Sequence, residues 1–179
     1  MTTLKDRIWI TAKTRMLSES RFNSYDVASH LFLTFMSFLV IVATVFSDEL
    51  RQSVGNFKEI TVVLTLFIFM ASLIVYGFKF SEKAGKHRDC YLKLQELELN
   101  FDKQEDAEKV YSEILDRYPN HAERDYHDFI LKRVLIEKKS LTIGDSKITW
   151  TCWMLASKVF RYISFWLLLI APTFLVAVL

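Results

Sequence analysis

Three stretches of the chain carry no charged side chain: Leu31 to Phe46, Ile60 to Phe78, and Tyr162 to Leu179. A membrane helix needs about 20 predominantly apolar residues to cross roughly 30 Å of hydrocarbon. The second and third runs have that length. The first reaches it when Ala28, Ser29 and His30 lie in the interfacial region. Helices apolar all round must be covered by lipid or by a large protein core, and a chain this short cannot supply such a core for three of them. The pattern predicts an all-α membrane protein. It comprises a transmembrane hairpin, a cytoplasmic helical unit and a third, C-terminal transmembrane helix.

Between the runs, apolar positions recur at helical spacing. Thr2 to Tyr25 is predicted helical, with Leu4, Ile8, Ala12 and Met16 in a stripe, Trp9 beside it and a basic polar side. Such a helix either lies on an anionic membrane surface or packs against the other polar helices. The turn Ser47 to Lys58, with Gly55 and Asn56, is too short for a domain and makes the first two runs an antiparallel pair. The second run is expected to continue as helix through Lys79 to Asn100, with Tyr91, Leu94, Leu97 and Phe101 on one face. A helix over about Glu105 to Tyr118 presents Ala107, Val110, Tyr111, Ile114, Leu115 and Tyr118, and Pro119 ends it at an Asn120–His121 turn. Another follows, about Glu123 to Lys138, with Tyr126, Phe129, Ile130 and Val134 inward; Thr142, Gly144 and Asp145 form a turn. The expected segments are 1–26, an amphipathic cytoplasmic helix; 27–80, the membrane hairpin; 81–148, the cytoplasmic helical region; and 149–179, with the third membrane helix.

Charge sets the orientation. Lys5, Arg7, Lys13, Arg15 and Arg21 precede the first run, and Lys79, Lys83, Lys86 and Arg88 follow the second. The connection between them has Arg51 and Lys58 against Asp48, Glu49 and Glu59, while Lys158 and Arg161 stand before the third run. The N-terminus and middle region are therefore expected in the cytoplasm. The first run is read as a span, not a signal sequence, because a polar and charged segment precedes it and a second span follows. Hydrophobic residues make up 51% of the 179, and the net charge of +2 is too small to suggest nucleic-acid binding. The two cysteines, Cys90 and Cys152, have no metal or redox spacing and are expected as reduced thiols.

Enzyme chemistry is not expected. Four widely spaced glycines form no phosphate loop and no nucleophile elbow, and no cofactor is implied. His121, Asp125, His127 and Asp128 have metal-ligand types, but the adjacent His127 and Asp128 point to different faces of a helix, so solvated helix positions are expected. His87 and Cys90, three apart, lack further ligands, and Cys90 is expected as a packing residue. The spans are more informative. On a helical wheel Thr61, Thr65, Ser72 and Tyr76 fall within roughly 60°, and His30, Thr34, Ser37 and Thr44 within about 80°. Each helix of the hairpin thus bears one weakly polar stripe. Such stripes serve close helix packing, or they line a pore assembled from several copies. No charge lies within either span, which argues against a proton relay, a voltage sensor or an ion-coupled transporter. Lys83, Lys86, Arg88 and Arg124 are candidates to receive a phosphate-rich signal, although setting orientation at the membrane is the favoured reading of them.

Several short stretches resemble a known family. The segment from Trp9 through Ile10, Thr11, Ala12, Lys13 and Thr14 to Arg15 resembles the basic helix that precedes the hairpin in the SLATT family, the SMODS- and SLOG-associating two-transmembrane effector domains. Lys86 to Leu94 resembles the helix leaving the second span, and Tyr118-Pro119-Asn120-His121 with Asp125-Tyr126 is similar to the fifth subgroup. The resemblance implies an effector of bacterial antiphage defence in the inner membrane. Such an effector would oligomerise, permeabilise the bilayer and cause growth arrest or death. The implied triggers are a nucleotide second messenger or a defence protein: a second-messenger synthase, a SLOG-type sensor or a reverse transcriptase. The third apolar run departs from the two-span pattern. An anchor that recruits a cytoplasmic defence partner without conducting is the alternative.

Overall fold

The computed structural model describes residues 3–48, 56–143 and 146–178. Within them the chain is almost entirely helical. In order come α1 (Leu4–Val45), α2 (Phe57–Phe78), α3 (Phe80–Leu99), a 3₁₀ turn (Phe101–Lys103), α4 (Ala107–Arg117), α5 (Glu123–Ile130), a π-helical segment (Leu131–Ile136), β1 (Leu141–Ile143), β2 (Ser146–Ile148) and α6 (Cys152–Val178). The strands pair antiparallel with Leu141 opposite Ile148, which departs from the all-α expectation. Leu141 is buried against the α5 cluster and Ile148 packs beside it, so the short strands cover an apolar face that a polar turn would leave open. Gly144, Asp145, Gly55 and much of the turn after α1 lie outside the described residues.

Two compact units are present: Met1–Asn23 with Ser81–Tyr162, and Ser24–Phe80 with Ile163–Leu179. In the first, the N-terminal half of α1 is a central helix. Thr3 caps it, its hydroxyl accepting from the Asp6 N–H at 3.2 Å while the Asp6 carboxylate accepts from the Thr3 N–H at 3.3 Å. Ile8 and Ala12 are buried with Cys90, Leu94 and Leu97 of α3 and Ala107, Tyr111 and Ile114 of α4. Trp9, Ile10 and Leu17 pack instead on Phe129, Ile130 and Leu141. Apolar side chains on two faces exclude solvent from both sides, so of the two sites open to this helix it takes the one against the other helices.

The second unit holds the apolar helices. Both α1 and the segment beginning at Phe57 are long and apolar enough to cross a membrane. The 22 residues of α2 extend about 33 Å, close to the hydrocarbon thickness. No residue of α2 is buried. A single helix through Lys79 is expected from the pattern, but Lys79 adopts φ 49° and ψ 50°, separating α2 from α3. Likewise α1 shows no break between its basic and apolar parts. The third apolar run is helical within α6, and its side chains beyond Ile170 lie outside the described residues.

Candidate functional site

The first unit encloses a polar centre that links α1, α3 and α5. Thr14, Arg15, Ser18, His87 and Asp125 are all buried. Asp125 sits at the third position of α5 and accepts from the N–H of Ala122 at 3.2 Å, closing the helix start. Its carboxylate also accepts from the Ser18 hydroxyl at 2.7 Å, from Arg21 Nε at 2.7 Å and from Arg21 Nη2 at 2.9 Å. Burial pushes its pKa up, but the hydrogen bonds from Arg21 and Ser18 and the Arg21 charge outweigh that and hold it below the usual carboxylate range. Arg15 Nη1 lies 3.5 Å from His87 Nδ1. Burial and the adjacent Arg15 charge lower the His87 pKa to about 4, so the imidazole is neutral at pH 7 and its ring stacks on Phe22, 5.5 Å between centroids. Burial also lowers the Arg15 pKa and raises that of the Cys90 thiol.

The four residues weighed as metal ligands take different partners. Asp125 is enclosed and ion-paired, a correction to its expected solvation: a carboxylate that receives four donors is satisfied without water. His127 lies 3.5 Å from Glu123. Asp128 meets Arg161 at 3.2 Å and Lys158 at 3.6 Å, the two cations ahead of the third apolar run. His121 is half-buried, and burial together with Arg15 lowers its pKa.

In the hairpin, Thr44 and Thr61 line one cleft of about 240 Å³ with Asp48 and Lys58, so the stripes of α1 and α2 meet at the turn end. Thr44, Thr61, Thr65 and Ser72 each donate to a carbonyl of their own helix: Val40, Phe57, Thr61 and Phe69 respectively, at 2.7–2.9 Å. Thr34 and Tyr76 are exposed and Ser37 is half-buried. His30 lies 3.8 Å from Asp26. Of the signal candidates, Lys86 pairs with Glu82 at 2.8 Å, Lys83 lies 6.0 Å from the Phe22 ring, Arg88 is exposed, and Arg124 is half-buried on α5. None of the four lines any of the three clefts described for this chain.

Sequence reasoning missed the polar centre. Thr14, Ser18 and Arg21 fall at i, i+4 and i+7, a polar face on α1 that the pattern marks, but Asp125, the partner of Ser18 and Arg21, lies more than a hundred residues on.

Two helices long and apolar enough to cross a bilayer, with a helical unit closed around the buried Arg21–Asp125 pair, suggest a membrane protein. The family model of the SMODS and SLOG-associating 2TM effector domain family 5 matches residues 1–179, and the chain belongs to that family, a two-transmembrane effector domain of defence systems. No curated protein and no solved structure matches it.

Proposed function

We propose that the protein is a membrane effector of bacterial antiphage defence that assembles through its hairpin and permeabilises the inner membrane when triggered. The observation that carries this reading is α2: it is apolar from Ile60 to Phe78, bears a weakly polar stripe, and buries nothing within one chain. A single hairpin encloses no channel, so conduction requires several copies with Thr34, Ser37, Thr44, Thr61, Thr65, Ser72 and Tyr76 at the shared surface. The protein acts on the bilayer and performs no enzymatic step. The first unit lies in the cytoplasm, where it receives a nucleotide or a protein partner. The signal opens the assembly by binding the open state more tightly than the closed one.

The third apolar run spans as well. Supporting this, Phe165 of α6 stacks with Tyr25 of α1 at 6.3 Å, and Tyr25 meets Phe80 edge-on at 5.8 Å. Aromatic rings at one level on three helices suit a membrane interface.

One observation favours a non-conducting anchor. Four of the stripe hydroxyls, those of Thr44, Thr61, Thr65 and Ser72, donate to their own backbones and need no polar neighbour as acceptor. Membrane potential in cells expressing the protein with its neighbouring genes under phage challenge decides between the two. Depolarisation is expected; an intact potential, with insertion verified, refutes permeabilisation and leaves the anchor.

A further inference from the structure

A cleft of about 480 Å³ opens in the first unit between α1 and the π-helical segment. That volume lies in the range of small-molecule sites, roughly 300–1,000 Å³. Lys13, Lys132 and Arg133 face it, against one carboxylate, Glu137. Glu137 is already engaged, 3.2 Å from Arg133 Nη1 and 3.9 Å from Lys139. Glu137 thus offsets Arg133 in part, and Lys13 and Lys132 leave the lining with an excess of positive charge.

Arg133 is held ready. Its guanidinium lies over the Trp9 ring at 5.2 Å, and Trp9 is braced edge-on by Phe129 at 5.7 Å. With the plane fixed by Trp9 and one nitrogen fixed by Glu137, Nε remains buried with no hydrogen-bond partner among the described residues. Arg133 lines the cleft with 27% of its side chain exposed, and that accessible edge of a held guanidinium can give a phosphate oxygen a charge-assisted bond. The backbone here is unusual too. The Glu137 N–H donates to the Lys132 carbonyl at 2.9 Å, a π-type turn, and such turns occur often at functional sites. Beside the cations, Met16, Leu17 and Phe129 give the cleft an apolar wall.

We propose that this cleft binds an organic phosphate, its phosphate at Arg133, Lys132 and Lys13 and its apolar or planar body against Met16, Leu17 and Phe129. The significance of the site as the signal receiver rests on the function proposed above; the binding itself does not. A phosphate of this kind comes from a soluble nucleotide-like molecule or from a lipid headgroup, and the test separates these.

The full chain in detergent is titrated calorimetrically with adenosine monophosphate, with adenosine, and with short-chain phosphatidylglycerol. Saturable binding of the monophosphate, at least tenfold tighter than adenosine, is expected. Arg133→Gln and the double variant Lys13→Gln/Lys132→Gln should each weaken it tenfold or more with helix content unchanged, whereas Lys83→Gln/Lys86→Gln should not. Phosphatidylglycerol binding alone, with the same sensitivity, assigns the phosphate to lipid and upholds the site. The proposal is overturned by no saturable binding of either phosphate, or by binding indifferent to both variants. Because the readout involves no conductance, failure here leaves the effector reading standing, and a chain that binds without depolarising cells refutes only permeabilisation.

Discussion

Arg21 and Asp125, 104 positions apart, face each other through two parallel hydrogen bonds, Nε to Oδ1 at 2.7 Å and Nη2 to Oδ2 at 2.9 Å. The carboxylate is almost wholly buried and the guanidinium nearly so. This pair fastens the start of α5 to α1, the helix whose later residues are apolar enough to cross a membrane. Removing one member strands a charge away from water, which costs about 3–5 kcal/mol. Asp125→Asn should therefore lower the stability of the full chain by that order in denaturant unfolding in detergent, and Arg21→Lys, which loses the fork, by less. A neutral Asp125→Asn would remove the pair from any structural role.

Two histidines set the pH dependence: His121, lowered by burial and the Arg15 charge, and, with the larger shift, His87. Its pKa falls from the ordinary 6.5 when unfolded to about 4 in the fold. Below pH 6.5 the unfolded chain takes up a proton that the folded chain refuses. Stability is thus fully present above 6.5 and declines as pH drops towards 4, by at most about 3 kcal/mol. The depressed Asp125 acts in the same direction at lower pH, its contribution lost as pH falls through its folded pKa. Thermal unfolding midpoints between pH 7.5 and 4.5 should slope for the native chain and slope less steeply for His87→Gln, the remainder belonging to His121. Parallel slopes would exclude His87 as the cause.

Arg15 presents the opposite case to Arg21. It is buried, its Nε has no hydrogen-bond partner among the described residues, and its contact with His87 is long at 3.5 Å. Desolvation of such a charge outweighs what it gains. Arg15→Met should leave stability within about 1 kcal/mol of the native chain or raise it, and should raise the His87 pKa by removing a neighbouring positive charge. An NMR titration of His87 checks the second effect; an unmoved pKa contradicts it.

Thr65 and Ser72 donate within their own helix, at 2.8 and 2.7 Å. Replacing both by Leu should spare insertion and reduce conductance if the stripe faces a pore. Single-channel recordings of reconstituted protein measure this, and undiminished currents would return the stripe to helix packing.

Lys79 holds a left-handed conformation at the α2–α3 junction, with its N–H donating to the Tyr76 carbonyl at 3.3 Å. A side chain there costs about 1–2 kcal/mol that glycine avoids. Lys79→Gly should keep or raise the thermal midpoint in detergent, and the β-branched Lys79→Val should lower it. The reverse order would mean that the junction is continuous helix in the native state.

The apolar helices follow from residue order alone, since uninterrupted runs such as Ile60 to Phe78 are a local property needing no partner to be read. That order also determined the inward faces of α4 and α5: Ala107, Tyr111, Ile114, Phe129 and Ile130 are buried as their spacing requires. The breadth of α1's burial was not legible, because apolar residues on two faces yield no single stripe. Tertiary structure alone decided which charges are enclosed. Arg15, Arg21 and Asp125 look like ordinary surface residues in a linear pattern, and only the approach of α1, α3 and α5 takes them from water. It likewise brought Trp9, Lys13 and Arg133 to one cleft. Pairing and enclosure depend on contacts between distant segments, which residue spacing along one helix does not encode.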